Sequence, residues 1–406
     1  MTRSSPSGTA ARVKALDLFA GTGWGVACQR LGIKEAGVEI MPEAVETRAA
    51  NGMETIYRDV WDGLTLTAEQ HREQYGSYGL LIASPPCQTF SLAGKGAGRA
   101  ALDEVLEAIE LHAYKDATAL LAFGEAHDMR TALVLAPLAY AWRDRPRLVA
   151  MEQVPTVLPV WEACAEVMRE WGYDVKVEIL HAEQYGVPQT RKRAILVARR
   201  GGPVHMPKPT HSKYYSTNPT KLDPGVKKWV SMAEALGWGD ENQTICHGVQ
   251  KNAARRPMTE PAATIAFGHD SASKGFAPAD VGDHLELRAA KLDGRFKAIT
   301  VEQAAALQSY PGMLRSNYGS GGDASKRGER TADQPSPTLT SKADRNKWDG
   351  ERNMTADEAA TLQSYPPRPF EWRGVKGKQF LQIGNAVPPL LAEHILAALV
   401  GFTPGR

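Results

Sequence analysis

Residues 15–25 decide the fold, and they read Ala15-Leu-Asp-Leu-Phe-Ala-Gly-Thr-Gly-Trp-Gly25. The apolar start predicts a short β-strand, and the three alternating glycines predict a tight turn. Residues 25–31 then predict a helix that Gly32 ends. Glycines after a strand let the backbone approach a ligand closely at the carboxyl edge of a parallel sheet. The spacing is neither the GxGxxG dinucleotide fingerprint nor a P-loop, so a purely structural turn stays open.

Outward from this stretch, residues up to about 200 alternate between strand-like and helix-like segments. This alternation is typical of an α/β fold in which crossover helices connect parallel strands. Further strands are predicted at residues 36–39, 55–60, 79–83, 147–151, 173–180 and 193–198, and helices at 42–51 and 117–142.

Charge is unevenly distributed along the 406 residues. Residues 1–188 contain 17 Lys and Arg against 25 Asp and Glu, whereas residues 189–406 contain 31 against 21. A basic second half indicates contact with a polyanion, although two ordinary domains could also differ by this much.

Several protein classes are excluded by composition. The most apolar stretch, residues 390–402, contains Glu393 and His394, so we expect no membrane span. The chain starts without the apolar segment of a secretory signal. Its 4 cysteines lack Cys-x-x-Cys spacing, which argues against a zinc ribbon and a disulfide scaffold. We therefore expect a cytoplasmic protein without a bound metal.

Changes in composition and in hydrophobic pattern along the sequence predict four segments. Residues 1–12 are a predicted disordered tail, residues 13–200 a first domain, residues 201–375 a loop-rich second domain, and residues 376–406 a segment that returns to the first. Two elements of the second domain occur twice: residues 300–311 match 355–366, and Pro261-Ala-Ala-Thr264 matches Pro335-Ser-Pro-Thr338. Two copies are too few for a solenoid, so we interpret them as a duplicated substructure.

Two acids and a cysteine follow predicted strands of the first domain. Glu39 and Asp59 end the second and third strands, and with the glycine turn they indicate a cofactor that carries a nucleoside. Cys87 follows Pro85 and Pro86, which hold it on a rigid turn where a nucleophile would be useful. The alternative is a small buried cysteine. The polar, glycine-rich residues 88–99 favour a mobile flap instead.

Charged residues also mark two later strands. Glu152 closes the strand predicted at 147–151 and could act as a general acid or form a surface salt bridge. Arg191 and Arg193 alternate, so they point to one side and suit forked contacts with oxygens, unless they form only a solvated basic face.

These motifs together resemble those of the DNA cytosine-5 methyltransferases. The resemblance rests on Asp17-Leu-Phe-Ala-Gly-Thr-Gly23, Pro86-Cys-Gln-Thr-Phe-Ser91 with Lys95, Glu152-Gln-Val154, Gln189-Thr-Arg-Lys-Arg193 and Gln382-Ile-Gly-Asn-Ala-Val-Pro388. It covers the first domain and residues 376–406, about half of the chain. It implies a doubly wound, mixed seven-stranded Rossmann-like sheet with a smaller target-recognition domain, and S-adenosylmethionine as cofactor.

The resemblance also implies a role for each matching residue. Cys87 would attack C6 of cytosine, Glu152 would bond N3 and the exocyclic amine, and Arg191 and Arg193 would hold the site and the base's O2. The other implied roles are cofactor binding by Phe19, Gly21, Gly23, Glu39, Asp59, Pro86, Asn385 and Val387, and DNA binding by Gln88, Ser91, Lys95, Gln189, Thr264 and Thr338.

The sequence departs from the family pattern in two places. Gln153 replaces the asparagine that commonly follows the catalytic glutamate. The duplicated Pro-x-x-Thr element usually occurs once, and position favours the second copy, with Thr338, although Thr264 is a rival for the phosphate contact beside the flipped base.

The implied partner is duplex DNA, and the basic second domain favours DNA over RNA as the substrate. An RNA cytosine-5 methyltransferase and a catalytically silent DNA-binding module remain alternatives. An exocyclic-amine methyltransferase is disfavoured by the thiol of Cys87. We expect a monomer in a prokaryotic or phage-infected cell, with a possible cognate restriction endonuclease.

Overall fold

A computed structural model describes residues 13–86, 97–215, 217–218, 220–237, 244–246, 255–257, 313–315, 329–331, 335–336, 339, 347–348, 352–366 and 370–402. Several predictions lie outside these residues: the tail 1–12, the first repeat copy at 300–311, and the site residues Cys87, Gln88, Ser91, Lys95, Thr264 and Thr338.

One mixed sheet forms the centre of the first domain. Its strands are β1 (Lys14–Leu18), β2 (Lys34–Val38), β3 (Glu54–Tyr57), β4 (Leu80–Ala83), β5 (Leu148–Gln153), β6 (Tyr173–His181) and β7 (Lys192–Arg200), in the order β3-β2-β1-β4-β5-β7-β6. β7 runs antiparallel to β5 and β6, whereas the other neighbours are parallel. The predicted mixed seven-stranded sheet is therefore confirmed.

Helices cover both faces of this sheet. The helices of the described residues are α1 (Gly23–Leu31), α2 (Pro42–Ala50), α3 (Val60–Leu64), α4 (Ala68–Tyr75), α5 (Ala97–Glu110), α6 (Ala117–Ala126), α7 (Met129–Ala132), α8 (Ala136–Asp144), α9 (Leu158–Glu170), α10 (Met232–Leu236), α11 (Ala356–Leu362), α12 (Lys376–Asn385) and α13 (Pro389–Val400), of which α10, α11 and α12 pack in a separate cluster. Leu16 and Leu18 of β1 pack with α8 and α9, whereas Ala15 packs with α1 and α13. This alternation follows from the two-residue period of a strand.

The helix predictions need correction in several places. Helices α3, α4, α5 and α9 were not predicted, and α5 includes the end of the predicted flap at 88–99. The helix predicted at 117–142 is three helices, because the carboxylate of Asp128 accepts the Arg130 N–H at 2.8 Å and caps a new helix there. The third strand ends at Tyr57, and Asp59 is the N-cap of α3.

Helix α13 returns to the first domain, where it packs against α1. Helices α12 and α13 together (Lys376–Val400) are long and apolar enough to span a membrane, but 78% of their most apolar window is buried in the fold. Such burial is typical of a core helix in a soluble domain.

The described parts of the second domain contain short strands. Thr244–Cys246 (β8) pairs with Arg255–Pro257 (β9), and a four-stranded antiparallel sheet contains Met313–Arg315 (β10), Glu329–Thr331 (β11), Lys347–Trp348 (β12) and Arg352–Asn353 (β13). The second repeat copy contains α11, which a reciprocal capping box between Thr355 and Glu358 starts.

Candidate active site

The candidate site lies where the strand order reverses, between β1 and β4. Ligands bind at such switch points, beyond the carboxyl ends of the strands. The turn after β1 contains Phe19 at φ 59° and Gly21 at φ 47°. A positive φ is strained for an aromatic residue, and a Cβ added to Gly21 would meet no atom within 4 Å. The turn therefore offers open space beside a strained backbone.

Gly23 has a packing role that the sequence did not reveal. A Cβ at this position would lie 2.1 Å from the backbone oxygen of Val387. Val387 is itself buried, whereas Asn385 at the end of α12 is exposed. The segment that contains these two residues therefore lies against the glycine turn.

The turns after β1 and β4 are directly connected. The indole Nε1 of Trp24 donates to Oγ of Ser84 at 2.9 Å, two residues before Pro86. The half-buried Pro86 is the last described residue before Cys87. This hydrogen bond fixes the glycine turn relative to the turn that leads to the predicted nucleophile.

Glu39 lies at the carboxyl end of β2 with its carboxylate held from two sides. Oε2 accepts the N–H of Gly21 at 2.9 Å, and Oε1 accepts the N–H of Met41 at 2.8 Å. Each oxygen of an ionised carboxylate has about two acceptor positions, so one on each oxygen remains for a ligand. Two such acceptors fit the two hydroxyls of a ribose.

Two further side chains flank Glu39. Asp59 accepts the N–H of Trp61 at 3.1 Å through Oδ1 and is half-buried at the start of α3. Ile40 is 66% exposed although it is large and apolar. Ile40 is not among the predicted site residues, although its apolar side chain directly after a ribose-binding candidate is a signal in the sequence. The carboxylate acceptors and the apolar surface fit an adenosine.

Glu152 lies at the carboxyl end of β5 and forms a buried ion pair. Its Oε1 lies 2.6 Å from Nε of Arg193, and the two side chains are 6% and 12% exposed. Arg193 also donates from Nη1 to the backbone oxygen of Lys192 at 2.7 Å. The structure thus brings together two of the predicted catalytic residues.

Gln153 supports the turn that precedes Cys87. Its Nε2 donates to the backbone oxygen of Pro85, and its Oε1 accepts the N–H of Val154 at 2.6 Å. Because both ends of the amide are used, the replacement of asparagine by glutamine still connects β5 to the turn after β4.

Gln189 is buried between protein segments, a position that does not suit a contact with DNA. Its side chain is fully buried, its Nε2 donates to Oε1 of Gln363 at 2.9 Å, and its Oε1 accepts the N–H of Leu339 at 3.2 Å. We therefore correct the expected DNA-binding role to a structural one. The amide connects the first domain to the second repeat copy.

Arg191 is also buried and does not share the site of Arg193. Its Nη1 donates to the backbone oxygen of Leu339 at 3.1 Å, and its Nη2 donates to that of Gly384 at 3.0 Å. Arg191 thus holds the segments around Thr338 and Asn385 against the first domain. Its expected role in supporting the site stays a prediction.

The second repeat copy is fastened to the glycine turn. The hydroxyls of Tyr365 and Thr22 lie 2.6 Å apart in a buried environment, and the Leu390 N–H donates to Oγ of Ser364 at 3.0 Å. Burial raises the pKa of the Tyr365 phenol, so its hydroxyl stays neutral.

A residue close to Thr338 in sequence is also bonded to the first domain, since the Thr190 N–H donates to the backbone oxygen of Ser336 at 2.9 Å.

Metal-binding groups are absent from the described ranges, in which no three His, Cys, Asp or Glu side chains cluster suitably. Cys28 and Cys164 are buried free thiols.

Sequence comparison gives matches over most of the chain. The family model of C-5 cytosine-specific DNA methylases matches residues 13–108 and 124–401. Type II methyltransferase M1.HphI of Haemophilus parahaemolyticus is 26% identical over 95% of this chain and 86% of its own length. Type II methyltransferase M.XorII of Xanthomonas oryzae pv. oryzae is 27% identical over 94% of this chain and 82% of its own length.

Solved structures share the fold. A DNA modification methyltransferase encoded within an E. coli prophage superposes with a TM-score of 0.53 at 20% identity, covering 96% of this chain and 99% of its own. The Dnmt2 methyltransferase of S. pombe superposes with a TM-score of 0.50 at 15% identity over the same shares.

Proposed function

The chain belongs to the C-5 cytosine-specific DNA methylase family, and from this premise we propose how its residues methylate DNA. It is a DNA cytosine-5 methyltransferase, and the family and fold imply S-adenosylmethionine as methyl donor. The observation that carries the proposed mechanism is the Glu152–Arg193 ion pair, which is connected through Gln153 to the turn before Cys87.

The chemistry requires a nucleophile and an acid on one base. C5 of cytosine is a poor nucleophile, so the Cys87 thiolate first forms a bond to C6. Glu152, held by Arg193, bonds N3 and the exocyclic amine and allows the ring to accept the electron pair. C5 would then attack the methyl group, and the S–CH3 electron pair would stay on the sulfur of the departing S-adenosylhomocysteine. A base would take the C5 proton, the C5–H electrons would re-form the C5–C6 double bond, and the C6–S bond would break to release the Cys87 thiolate.

S-Adenosylmethionine supplies an electrophilic methyl group on a sulfonium. We propose that Glu39 accepts the ribose hydroxyls, that Asp59 and Ile40 contact the adenine, and that Phe19, Gly21 and Pro86 line the site. Gly23 shapes it through the contact with Val387, and Asn385 closes it. The support is the pair of free acceptor positions on Glu39 and the open space at Gly21.

Duplex DNA must release the target cytosine from its stack before Cys87 can reach it. We propose that exposed lysines of the second domain contact the phosphates; they include Lys208, Lys221, Lys227 and Lys228. Gln88, Ser91 and Lys95 remain candidates for contacts around the flipped base.

We propose that Thr338, and not Thr264, contacts the backbone beside the flipped base. The support is that Ser336 and Leu339, on either side of Thr338, are hydrogen-bonded to Thr190, Gln189 and Arg191 of the first domain. The T338A variant should bind cognate duplex less tightly, whereas T264A should not. The reverse order in a fluorescence titration would assign the role to the first copy.

The reaction is tested with purified protein, labelled S-adenosylmethionine, unmethylated duplex DNA and tRNA in parallel. Nucleoside analysis should find 5-methyldeoxycytidine in the DNA. Label in tRNA alone would make the protein an RNA methyltransferase, and no label in either would favour the silent DNA-binding module.

A trapping experiment tests the covalent step separately. Duplex DNA with 5-fluorocytosine at the mapped target should give a denaturation-resistant adduct, because fluorine at C5 cannot leave as the proton does. The adduct should be absent with C87A. An adduct that persists in C87A would assign the nucleophile to another residue.

The biological setting also belongs to the proposal. The type II names of the relatives support a cognate restriction endonuclease. We further propose that the protein acts on DNA in the cytoplasm and as a monomer. DNA from cells that express the protein should resist an endonuclease specific for the mapped sequence. Cleavage at every such site would contradict the pairing, and light scattering of the purified protein measures its oligomeric state.

A further inference from the structure

Arg48 is a fully buried arginine beneath the glycine turn. It extends from α2, and its guanidinium donates from Nη1 to the backbone oxygen of Gly21 at 3.0 Å and from Nη2 to Oε1 of Glu35 at 2.6 Å. It also donates to the backbone oxygen of Glu54 at 2.6 Å and to Oγ1 of Thr55 at 3.0 Å. One side chain thus joins α2, β2, β3 and the turn.

The sheet leaves space for this guanidinium. A Cβ at Gly37 in β2 would lie 2.2 Å from Nη2 of Arg48, so any other residue there would displace it. Gly37 pairs with Asp17 on β1 and with Thr55 on β3. A glycine in the middle of a buried strand weakens the strand, which indicates that the position is needed for the close approach.

The charges around Arg48 are not explained by stability. Burial, followed by the charge of Glu35, raises the pKa of Asp17 well above its usual range, although Arg48 acts in the opposite direction. Replacement of a buried ion pair by apolar residues of similar volume is often neutral or stabilising. An apolar side chain could fill this space, but it could not hold the oxygen of Gly21.

We propose that Arg48 is a positioning residue of the cofactor site, which acts by fixing the Gly21 carbonyl and so restrains the φ and ψ of the residue whose N–H orients Glu39. The inference rests on the proposed ribose contact of Glu39. Gly21 is held at both ends: its oxygen, in the Gly21–Thr22 peptide, accepts from Arg48 at 3.0 Å, and its N–H, in the Ala20–Gly21 peptide, donates to Glu39 at 2.9 Å. Loss of Arg48 frees the Gly21–Thr22 peptide, so that Gly21 can rotate and its N–H no longer holds the carboxylate in one orientation.

The test measures binding of S-adenosylhomocysteine and of adenosine by calorimetry on the full chain. R48M leaves Glu35 charged and unpaired, so the main variant is R48M/E35Q, which removes both charges. R48K is the second variant, since it keeps a positive charge for Glu35 but loses the fork that reaches Gly21. Both should weaken the two ligands by about ten- to a hundredfold, the effect of a lost charged hydrogen bond.

Three comparisons separate positioning from stability. DNA binding by the two Arg48 variants should not change. The variant R143M/D144N, which removes another ion pair, should lower the melting temperature without changing ligand affinity. Combination of R48M/E35Q with E39Q should weaken binding by less than the product of the separate effects, since Arg48 acts through Glu39.

The outcomes distinguish the two levels of the proposal. Wild-type affinity in folded R48M/E35Q or in R48K would overturn the role of Arg48. If E39Q still lost affinity in that case, the proposed cofactor site at Glu39 would stand without Arg48. Absence of S-adenosylhomocysteine binding by the wild-type protein would instead overturn the cofactor site, and the role of Arg48 with it.

Discussion

Two buried ion pairs of this protein, Arg48–Glu35 and Arg193–Glu152, have the same N–O distance of 2.6 Å but different surroundings. Arg48 makes four hydrogen bonds and its side chain is 0% exposed. Arg193 is 12% exposed and makes one further bond, to the oxygen of Lys192. Arg48 thus uses four of its five N–H donors to hold its neighbours, whereas the more open pair has more capacity left for a substrate.

The largest expected effect comes from a change that touches neither pair. C87A removes the proposed nucleophile, so methyl transfer should fall by at least about 10⁴-fold while S-adenosylhomocysteine and DNA still bind. Single-turnover transfer from labelled cofactor and parallel binding titrations measure this. Activity of C87A within tenfold of the wild-type value would contradict a covalent mechanism, and neither ion pair would then have a role in one.

E152Q tests the more open pair directly. Loss of the carboxylate removes the group that engages N3, so kcat should fall by about 10²- to 10⁴-fold. Cofactor affinity should stay unchanged, because the proposed contact of Glu152 is with the base and not with the adenosine. R48M/E35Q should instead lose cofactor affinity more than kcat. If the two variants changed kcat and cofactor affinity in the same way, the two ion pairs would not have different roles.

The third prediction concerns the turn above Arg48. G23A forces a Cβ against the Val387 backbone oxygen, which cannot move away as a side chain could, so the free energy of unfolding should fall by about 1–3 kcal/mol.

G21A is the matched control for G23A, since its Cβ meets open space and only the positive φ opposes it, at a cost of about 1 kcal/mol. Urea denaturation measures both variants. An equal or larger loss in G21A would mean that backbone conformation, and not packing on Val387, determines the stability of the turn.

The smallest expected effect concerns the pH dependence of stability, which comes from a buried neutral group, His394, and not from an ion pair. Burial, followed by the charge of His211, lowers the pKa of His394 to about 4. The unfolded chain binds the proton near pH 6.5, so the stability that neutral His394 contributes is complete above that pH and is lost as the pH falls toward 4.

H394F keeps an aromatic ring beside Tyr185 but cannot titrate. The fall in melting temperature between pH 7 and pH 5 should therefore be smaller in H394F than in the wild-type protein. An identical fall in both would assign the acid sensitivity to other groups, such as His71, whose pKa burial also lowers to about 4.

The elements of the cofactor site could be predicted because they are local in sequence. Glu39 follows a short apolar strand, and the carboxyl ends of parallel strands meet at one edge, so the pattern alone placed it. The ion pair of Glu152 with Arg193 needed one more fact, the antiparallel register that sets Glu152 opposite Ile195. Residue order along the chain does not contain that register.

Other residues depend on contacts that no local pattern reveals. Gln189 carries a DNA-binding role only by resemblance, and the structure buries it against Gln363 and Leu339. No pattern in the sequence singles out Arg48, whose guanidinium enters the sheet and bonds Gly21 and Glu35. Long polar side chains are where sequence reasoning failed, since their partners are distant in the chain.

The packing of α13 on α1 has a consequence for synthesis of the protein. The last strand of the sheet ends at Arg200, but the helix that covers α1 begins only at Pro389. At about 5–20 residues per second, a ribosome needs roughly 10–40 seconds to make the residues between them. Throughout that interval the nascent chain has its sheet but an uncovered apolar face on α1. Translation that stops within it yields an inactive chain with an exposed hydrophobic surface, the feature that chaperones and proteases recognise.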